Sequence, residues 1–338
     1  MEFKQIIEQA YQAYLENKKT VLATIVQLEG SSYRREGSQM LLREDGQMTF
    51  ALSGGCIEME VFQAAQSIFA GSPAKMMAYD GLNRLGCEGL LYILLEPLTI
   101  DQQRHQQIHQ LLESRETLKL RSYFLAEDSS EGQYGTTFQS TQWPETPLSA
   151  SAHKLPMKAL EQFQWEIQAP FKLFLFGSGH DVAAFSQVAK SLHWEISVVL
   201  CEQSPKTKAD FPAANHFYRW PELEDQEDLW DHQTAVVVMS HNFEKDAAYV
   251  QALLPQPLCY LGMIGSLKRR DKLKDYLEIR GINPGLVENI YTPAGLNIGA
   301  NQPEEIALSV IAEILAVKNT KSPYSLKEMK SPFIHLLN

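Results

Sequence analysis

Four cysteines in 338 residues, at positions 56, 87, 201 and 259, are too few and too scattered for a disulfide framework, and no CxxC pair occurs among them. That usage suits a reducing compartment, so the expected location is cytoplasmic. No apolar run is long enough for a membrane span, and Met1 to Tyr14 reads as a charged amphipathic helix rather than a signal peptide. Positive charge is also short. Against 41 Asp and Glu stand 30 Lys and Arg, a net charge of -11. That balance argues against a nucleic-acid partner and against a basic membrane-binding face, although local basic clusters can still hold a small anion. Internal repeats and low-complexity tracts are missing. What is there, 44% hydrophobic and 21% charged residues, is ordinary for a globular chain, and the length allows two domains with separate cores.

One stretch organises the first half: Ser53-Gly54-Gly55-Cys56-Ile57-Glu58. A short strand is expected before it, over Met48 to Leu52. A helix over 56–70 is expected after it, from the spacing of Ile57, Val61, Ala65, Ile68 and Phe69. Free N–H groups and the positive end of the helix dipole gather at such a turn, so an anion is welcome there and a thiolate is favoured over a thiol. Two glycines let a ligand approach the backbone. A tight turn with a buried cysteine is the plainer alternative. Around this stretch, the sequence suggests a helix over 3–16 and a central strand over Thr20–Leu28. A loop over 30–37 carries Arg34 and Arg35, and a hairpin turns around Glu44-Asp45-Gly46. A strand over Leu90–Leu95 closes at Pro97. This mixture is α+β. From 101 to 168 the signal weakens to a helix over 101–113, a strand over 118–125 and a polar tract. His105 and His109, one helical turn apart, read as a solvated face rather than a metal site.

Phe171 to Phe176 opens a second regime, in which strands and helices alternate: Ile196–Leu200, Ala235–Met239, a helix near 245–254, and Leu258–Leu261. Alternation of this kind means a doubly wound parallel sheet with its ligands at the strands' C-terminal edge. The division expected is an α+β domain over 1–100, a connecting region over 101–168, a Rossmann-like α/β domain over 169–318, and a tail over 319–338. Gly177-Ser178-Gly179-His180 is a phosphate-cradling turn. Val182 at the third glycine position and Leu200-Cys201 where a ribose-binding acid belongs weigh against tight NAD binding. Gly262 to Ser266, followed by Lys268, Arg269 and Arg270, forms a second candidate anion site, because positive charge at a helix N-terminus calls for a compensating anion. Residues 295–305, with Pro303 opening a helix over 303–317, read as structural. His180 and His241 fall at strand ends, as acid–base groups or as turn hydrogen-bonders.

Taken together, these residues resemble the XdhC/CoxI accessory proteins of molybdenum hydroxylases such as xanthine dehydrogenase. In the first half the resemblance rests on Gly30-Ser31-Ser32-Tyr33-Arg34 with Gly37 and Met40, on Ser53 to Glu58, and on Tyr79-Asp80 with Gly86-Cys87-Glu88-Gly89. In the second it rests on Gly177 to His180, Ser240-His241, Tyr260-Leu261-Gly262 with Gly265-Ser266, and Gly295 to Ala300 followed by Pro303 to Ala307. It implies a cytoplasmic homodimer that carries molybdenum cofactor, works with a sulfur-donating cysteine desulfurase, and delivers the cofactor to a molybdenum hydroxylase. It assigns no catalytic residue. With that ligand, an anionic pterin dithiolene bearing a phosphate, Cys56 becomes the candidate metal-facing thiol and Cys87 the secondary one. Gly54, Gly55, Glu58 and Arg34 then line the first half of the site. Gly177, Gly179, His180, His241, Gly265, Ser266 and Arg269 line the second. Two other readings stay open: an NAD(P)-dependent oxidoreductase built on Gly177-x-Gly179, and a thiol enzyme pairing Cys56 with His180 or His241.

Overall fold

The computed structural model describes residues 2–30, 34–55, 57–81, 89–150, 160–223 and 226–328. The chain divides into two compact units, Met1–Ala169 and Pro170–Met329. The first unit begins with α1 (Glu2–Leu15), β1 (Thr20–Gly30), β2 (Gln39–Arg43), β3 (Met48–Thr49), α2 (Glu58–Phe69), β4 (Ala74–Asp80) and β5 (Gly89–Leu98). It continues with α3 (Gln102–Glu113), β6 (Leu118–Phe124), β7 (Glu131–Gly132), β8 (Gly135–Gln139), β9 (Thr146–Pro147) and β10 (Glu161–Ile167). Two sheets result, with strand orders β3-β2-β1-β5-β4-β7 and β10-β6-β8-β9, and every pairing in them is antiparallel.

β1 is central, as its two-sided apolar pattern requires. Val21, Ala23 and Ile25 face α2 through Val61, Ala65, Ile68 and Phe69. Leu22 faces the opposite way, into a core shared with Phe3 and Ile6 of α1, Ile108 of α3 and Leu120 of β6. Two expectations need correction. The strand expected over Met48–Leu52 stops at Thr49, because Phe50 takes a left-handed backbone with φ 66° and leaves the ladder. Pro97 does not close β5. It pairs opposite Val21, beyond the last residue that β4 contributes at Leu95, so its missing N–H falls where β5 has a neighbour on one side only.

The second unit holds β11 (Lys172–Phe176), α4 (His180–Lys190), β12 (Glu195–Cys201), β13 (His216–Trp220), β14 (Thr234–Val238) and α5 (Phe243–Leu253). It is completed by β15 (Tyr260–Met263), α6 (Leu267–Ile279), α7 (Pro284–Val287), β16 (Ile290–Tyr291) and α8 (Pro303–Lys318). All strand pairs are parallel, in the order β13-β12-β11-β14-β15-β16. Leu173 and Leu175 pack under Phe185 of α4 and Val310 of α8. Phe174 and Phe176 point the other way, toward Val250 of α5 and Leu273 of α6. Helices therefore cover both faces, and the sheet is doubly wound, as the alternation of elements implies.

Candidate functional site

Strand register gathers the motifs of the first unit. The pairs Gly30–Gly89 and Asp80–Leu90 place the end of β1, the end of β4 and the start of β5 at one edge of the sheet. At that edge β2 enters at Gln39, and from β3 the chain runs on toward it. The connections carrying Arg34 to Gly37, Gly54-Gly55, and the stretch between β4 and β5 all leave from this edge. Cys56 and Cys87 themselves lie outside the described residues, as do Tyr33 and Gly86.

The Gly-Gly turn is organised by Glu58, the first residue of α2. Its carboxylate accepts from the Ser53 N–H (2.8 Å), the Ser53 hydroxyl (3.0 Å) and the Ile57 N–H (3.1 Å). The Gly55 N–H donates to Ser53 Oγ (3.1 Å). Burial pushes the Glu58 carboxyl up, but these hydrogen bonds outweigh it and hold its pKa below the ordinary value. Amides that the sequence reading offers to an outside anion are therefore taken by the chain's own carboxylate. Glu58 acts as an internal cap, and its bonds turn inward rather than toward a ligand. Gly54 and Gly55 are exposed, no atom of the described residues lies within 4 Å of where either Cβ would stand, and Gly55 has φ +114°. The turn is open on its outer side. Glu58→Ala is expected to lower stability by about 1–2 kcal/mol, the usual worth of a lost cap, as a shift of the urea transition.

Beside it, the loop after β1 is pinned by the Gly37 N–H donating to the Ile25 carbonyl (2.8 Å) and by Glu36 accepting from the Leu28 N–H (3.0 Å). A Cβ on Gly37 (φ +84°) would stand 3.4 Å from the Trp165 ring of β10. Arg34 pairs with Glu2 of α1 (3.2 Å), so its charge is partly met within the chain. Among the described residues, three buried donors in this neighbourhood lack an acceptor: Arg34 Nε, Arg35 Nη2 and Trp165 Nε1. Buried donors of this kind ordinarily find partners. Trp165 and Phe50, which share one apolar cluster, were not legible as site residues; strain at Phe50 appears only in the backbone.

In the second unit the strand order reverses direction between β11 and β14, and the crevice beyond their C-terminal ends is where such sheets bind ligands. Gly177 belongs there: its Cβ would collide with the Met239 carbonyl oxygen at 2.6 Å. The N-cap of α4 is Gly179, and His180 is its exposed first residue. Over this turn folds Asp181. Its Oδ1 would lie 2.2 Å from a Cβ on Gly179 and accepts from the Val182 N–H (3.0 Å). Its Oδ2 lies 2.7 Å from His241 Nε2. His241, at φ 60°, is held in the left-handed region next to the end of β14.

The candidate anion site at Gly262 to Ser266 is filled in the same manner. Ser266 caps α6, accepting from the Arg269 N–H (3.4 Å). Arg269 lies against Gly265, whose Cβ would stand 2.6 Å from Arg269 Cδ, and its Nη2 donates to Asp246 Oδ2 (2.5 Å). Asp246 is fully buried. The anion that compensates this basic helix start is Asp246 of α5. Asp246 escaped sequence reasoning, although it stands in the first turn of its helix, where acidic residues favour the dipole. Near the position where a ribose-binding acid belongs, Arg219 of β13 gathers the carbonyls of Glu202 (2.9 Å) and Ser204 (3.0 Å), and Leu200 is buried. Among the described residues, no cluster of His, Cys, Asp and Glu could hold a metal ion. His105 stacks on Tyr11 and reaches Glu8 (3.0 Å), which makes it a packing residue of the α1–α3 contact.

Fold and site define a two-unit protein in which an antiparallel α+β unit with an open Gly-Gly turn precedes a Rossmann unit. The chain belongs to the XdhC and CoxI family: the XdhC and CoxI description matches residues 13–80, and the XdhC Rossmann domain description matches residues 173–314. It is 30% identical over 324 residues to a probable xanthine dehydrogenase subunit of Bacillus subtilis, covering 90% of this chain and 94% of the relative. A molybdenum cofactor insertion chaperone of Escherichia coli, PaoD, is 23% identical over 320 residues, covering 93% of this chain and 88% of that one. A crystal structure described as a xanthine dehydrogenase from Bacillus halodurans superposes with a TM-score of 0.75 at 26% identity, covering 97% of this chain and 98% of the other. No helix among the described residues is long and apolar enough to cross a membrane.

Proposed function

We propose that the chain is a cytoplasmic accessory protein that binds molybdenum cofactor, supports its sulfuration together with a cysteine desulfurase, and inserts it into a molybdenum hydroxylase of the xanthine dehydrogenase type. It acts as a homodimeric carrier with no turnover of its own. The relationship to an insertion chaperone along nearly the whole chain supports this reading. The observation that carries it is the open Gly54-Gly55 turn, on the sheet edge from which the Arg34–Gly37 loop and the β4–β5 connection also leave.

The residues present fit such a cargo. Exposed glycines leave room against the backbone, and Arg34 Nε and Arg35 Nη2 are donors in search of acceptors, which a phosphate-bearing pterin supplies. The cargo's molybdenum–sulfur centre is soft, and a soft thiolate is the matching ligand, the role given to Cys56 with Cys87 second. Glu58 serves this site by fixing the turn. In the second unit, Gly177, Gly179, His180, His241, Gly265, Ser266 and Arg269 remain the residues of interest. There chain carboxylates already meet an amide and the guanidinium, so the cargo's phosphate is assigned to the first unit. The same geometry disfavours the dinucleotide oxidoreductase.

Protein purified from a cofactor-competent host is expected to release a pterin that fluoresces after oxidation. Cys56→Ala should lower that yield at least tenfold with an unchanged far-ultraviolet spectrum, and Cys87→Ala should lower it less. Equal pterin content in wild type and Cys56→Ala would remove Cys56 from the site.

A further inference from the structure

We infer that Asp181 is the specificity-determining residue that keeps phosphate-bearing ligands out of the switch-point crevice of the Rossmann unit. A turn of the form Gly177-Ser178-Gly179 gives a pyrophosphate three things: bare backbone to lie against, an unpaired N–H in the first helical turn, and freedom from negative charge. Asp181 removes all three at once. Its Oδ1 sits 2.2 Å from where a Cβ of Gly179 would be, so the glycine's open face is filled. The same oxygen takes the Val182 N–H at 3.0 Å. A formal negative charge then stands where a phosphate oxygen would have to come, and like charges at that distance repel.

The carboxylate is not loosely placed. His241 Nε2 meets Oδ2 at 2.7 Å from the opposite lip of the crevice, since His241 follows β14 while Asp181 follows β11. These are the two strands between which the order of the sheet reverses. The His241 backbone, at φ 60°, is the strained element that brings the imidazole across. Gly177, pressed against the Met239 carbonyl, still has the close backbone approach of a phosphate-binding turn. The frame of a nucleotide site is therefore retained while its receptive spot is filled from within, whatever cargo the first unit carries.

Full-length wild type, Asp181→Ala and Asp181→Asn, each checked for folding by circular dichroism, are to be titrated with inorganic pyrophosphate and with NADH. Calorimetry and melting-temperature shift are the readouts, since a ligand bound to the folded state must raise the midpoint. Wild type is expected to show no saturable binding of either probe. Asp181→Ala is expected to bind pyrophosphate at least tenfold more tightly. Asp181→Asn keeps the side chain's size but not its charge, and carries the test if the alanine variant fails to fold. Gain for pyrophosphate alone supports the proposal as fully as gain for both, because NADH also needs a ribose contact that the buried Leu200 does not offer. Wild type that binds either probe as tightly as the folded variants overturns it, and so do folded variants that bind neither.

Discussion

Asp246→Ala is expected to be the most damaging single substitution in the Rossmann unit, lowering its stability by about 3 kcal/mol. The expectation rests on what would be left behind. Asp246 is fully buried, its Oδ1 accepts the Ser240 N–H (3.1 Å) and the Ser240 hydroxyl, and its Oδ2 accepts Arg269 (2.5 Å). It thereby ties together the end of β14, the first turn of α5 and the start of α6. Removing it strands a guanidinium that already carries one buried unpaired donor, Arg269 Nε. It also strands the Ser240 N–H at the lip of the crevice. A buried pair broken on one side costs more than a pair replaced whole, so Asp246→Ala combined with Arg269→Met should recover part of the loss. Asp246→Asn, which keeps the acceptor for Ser240, should cost less than alanine. Urea denaturation of five proteins (wild type, Asp246→Ala, Arg269→Met, the double variant and Asp246→Asn), followed through the second unit's tryptophans, measures this. A loss below about 0.5 kcal/mol, or strict additivity in the double variant, would show that the pair is not a structural clamp.

The legible parts of this molecule were those in which apolar periodicity and burial agree. Phe171 to Phe176 reads as a buried strand because both of its faces meet helices, and β1 reads as central for the same reason. β8 was not legible. Gly-Thr-Thr-Phe-Gln carries the composition of a loop, yet it is buried because Thr136 and Thr137 satisfy their hydroxyls on Glu96 and Glu145. β13 escaped because this edge strand, His-Phe-Tyr-Arg-Trp, is only partly buried and shows no apolar run, and β16 because two residues give no pattern to count. At the candidate sites, the glycine turns and helix starts were visible as anion-receptive features. What answers them was not. Glu58 is adjacent in sequence to its turn and could have been suspected. Asp246 lies 23 residues from Arg269, and only the packing of α5 beside α6 brings that carboxylate to that cation. Local sequence shows where a charge is wanted, whereas tertiary contact decides whether the chain supplies it.

Glu96 provides the pH dependence with the largest expected amplitude. It is 3% exposed in β5, and its carboxylate accepts the Thr136 N–H (2.8 Å) and the Thr136 hydroxyl (2.5 Å), which link the first unit's two sheets. Burial without a paired cation raises its pKa from 4.5 to about 7, and the two hydrogen bonds offset only part of that rise. The folded chain therefore keeps this proton over a range in which the unfolded chain has released it. A group whose folded pKa is raised stabilises most below the unfolded value, and its contribution falls as pH rises from 4.5 toward about 7. The amplitude is about 3 kcal/mol. Glu96→Gln is neutral throughout. Its amide oxygen can take the Thr136 N–H, and its amide N–H can donate to the Thr136 hydroxyl, which in turn has Ser122 Oγ at 2.7 Å. The variant should match wild type near pH 4.5 and exceed it by about 3 kcal/mol at pH 8. Thermal and urea transitions of the two proteins at half-unit steps from pH 4.5 to 8 give the difference directly, and every other titrating group cancels in it. Parallel curves would mean that the carboxylate ionises at its ordinary pH, and that water reaches the space between the two sheets.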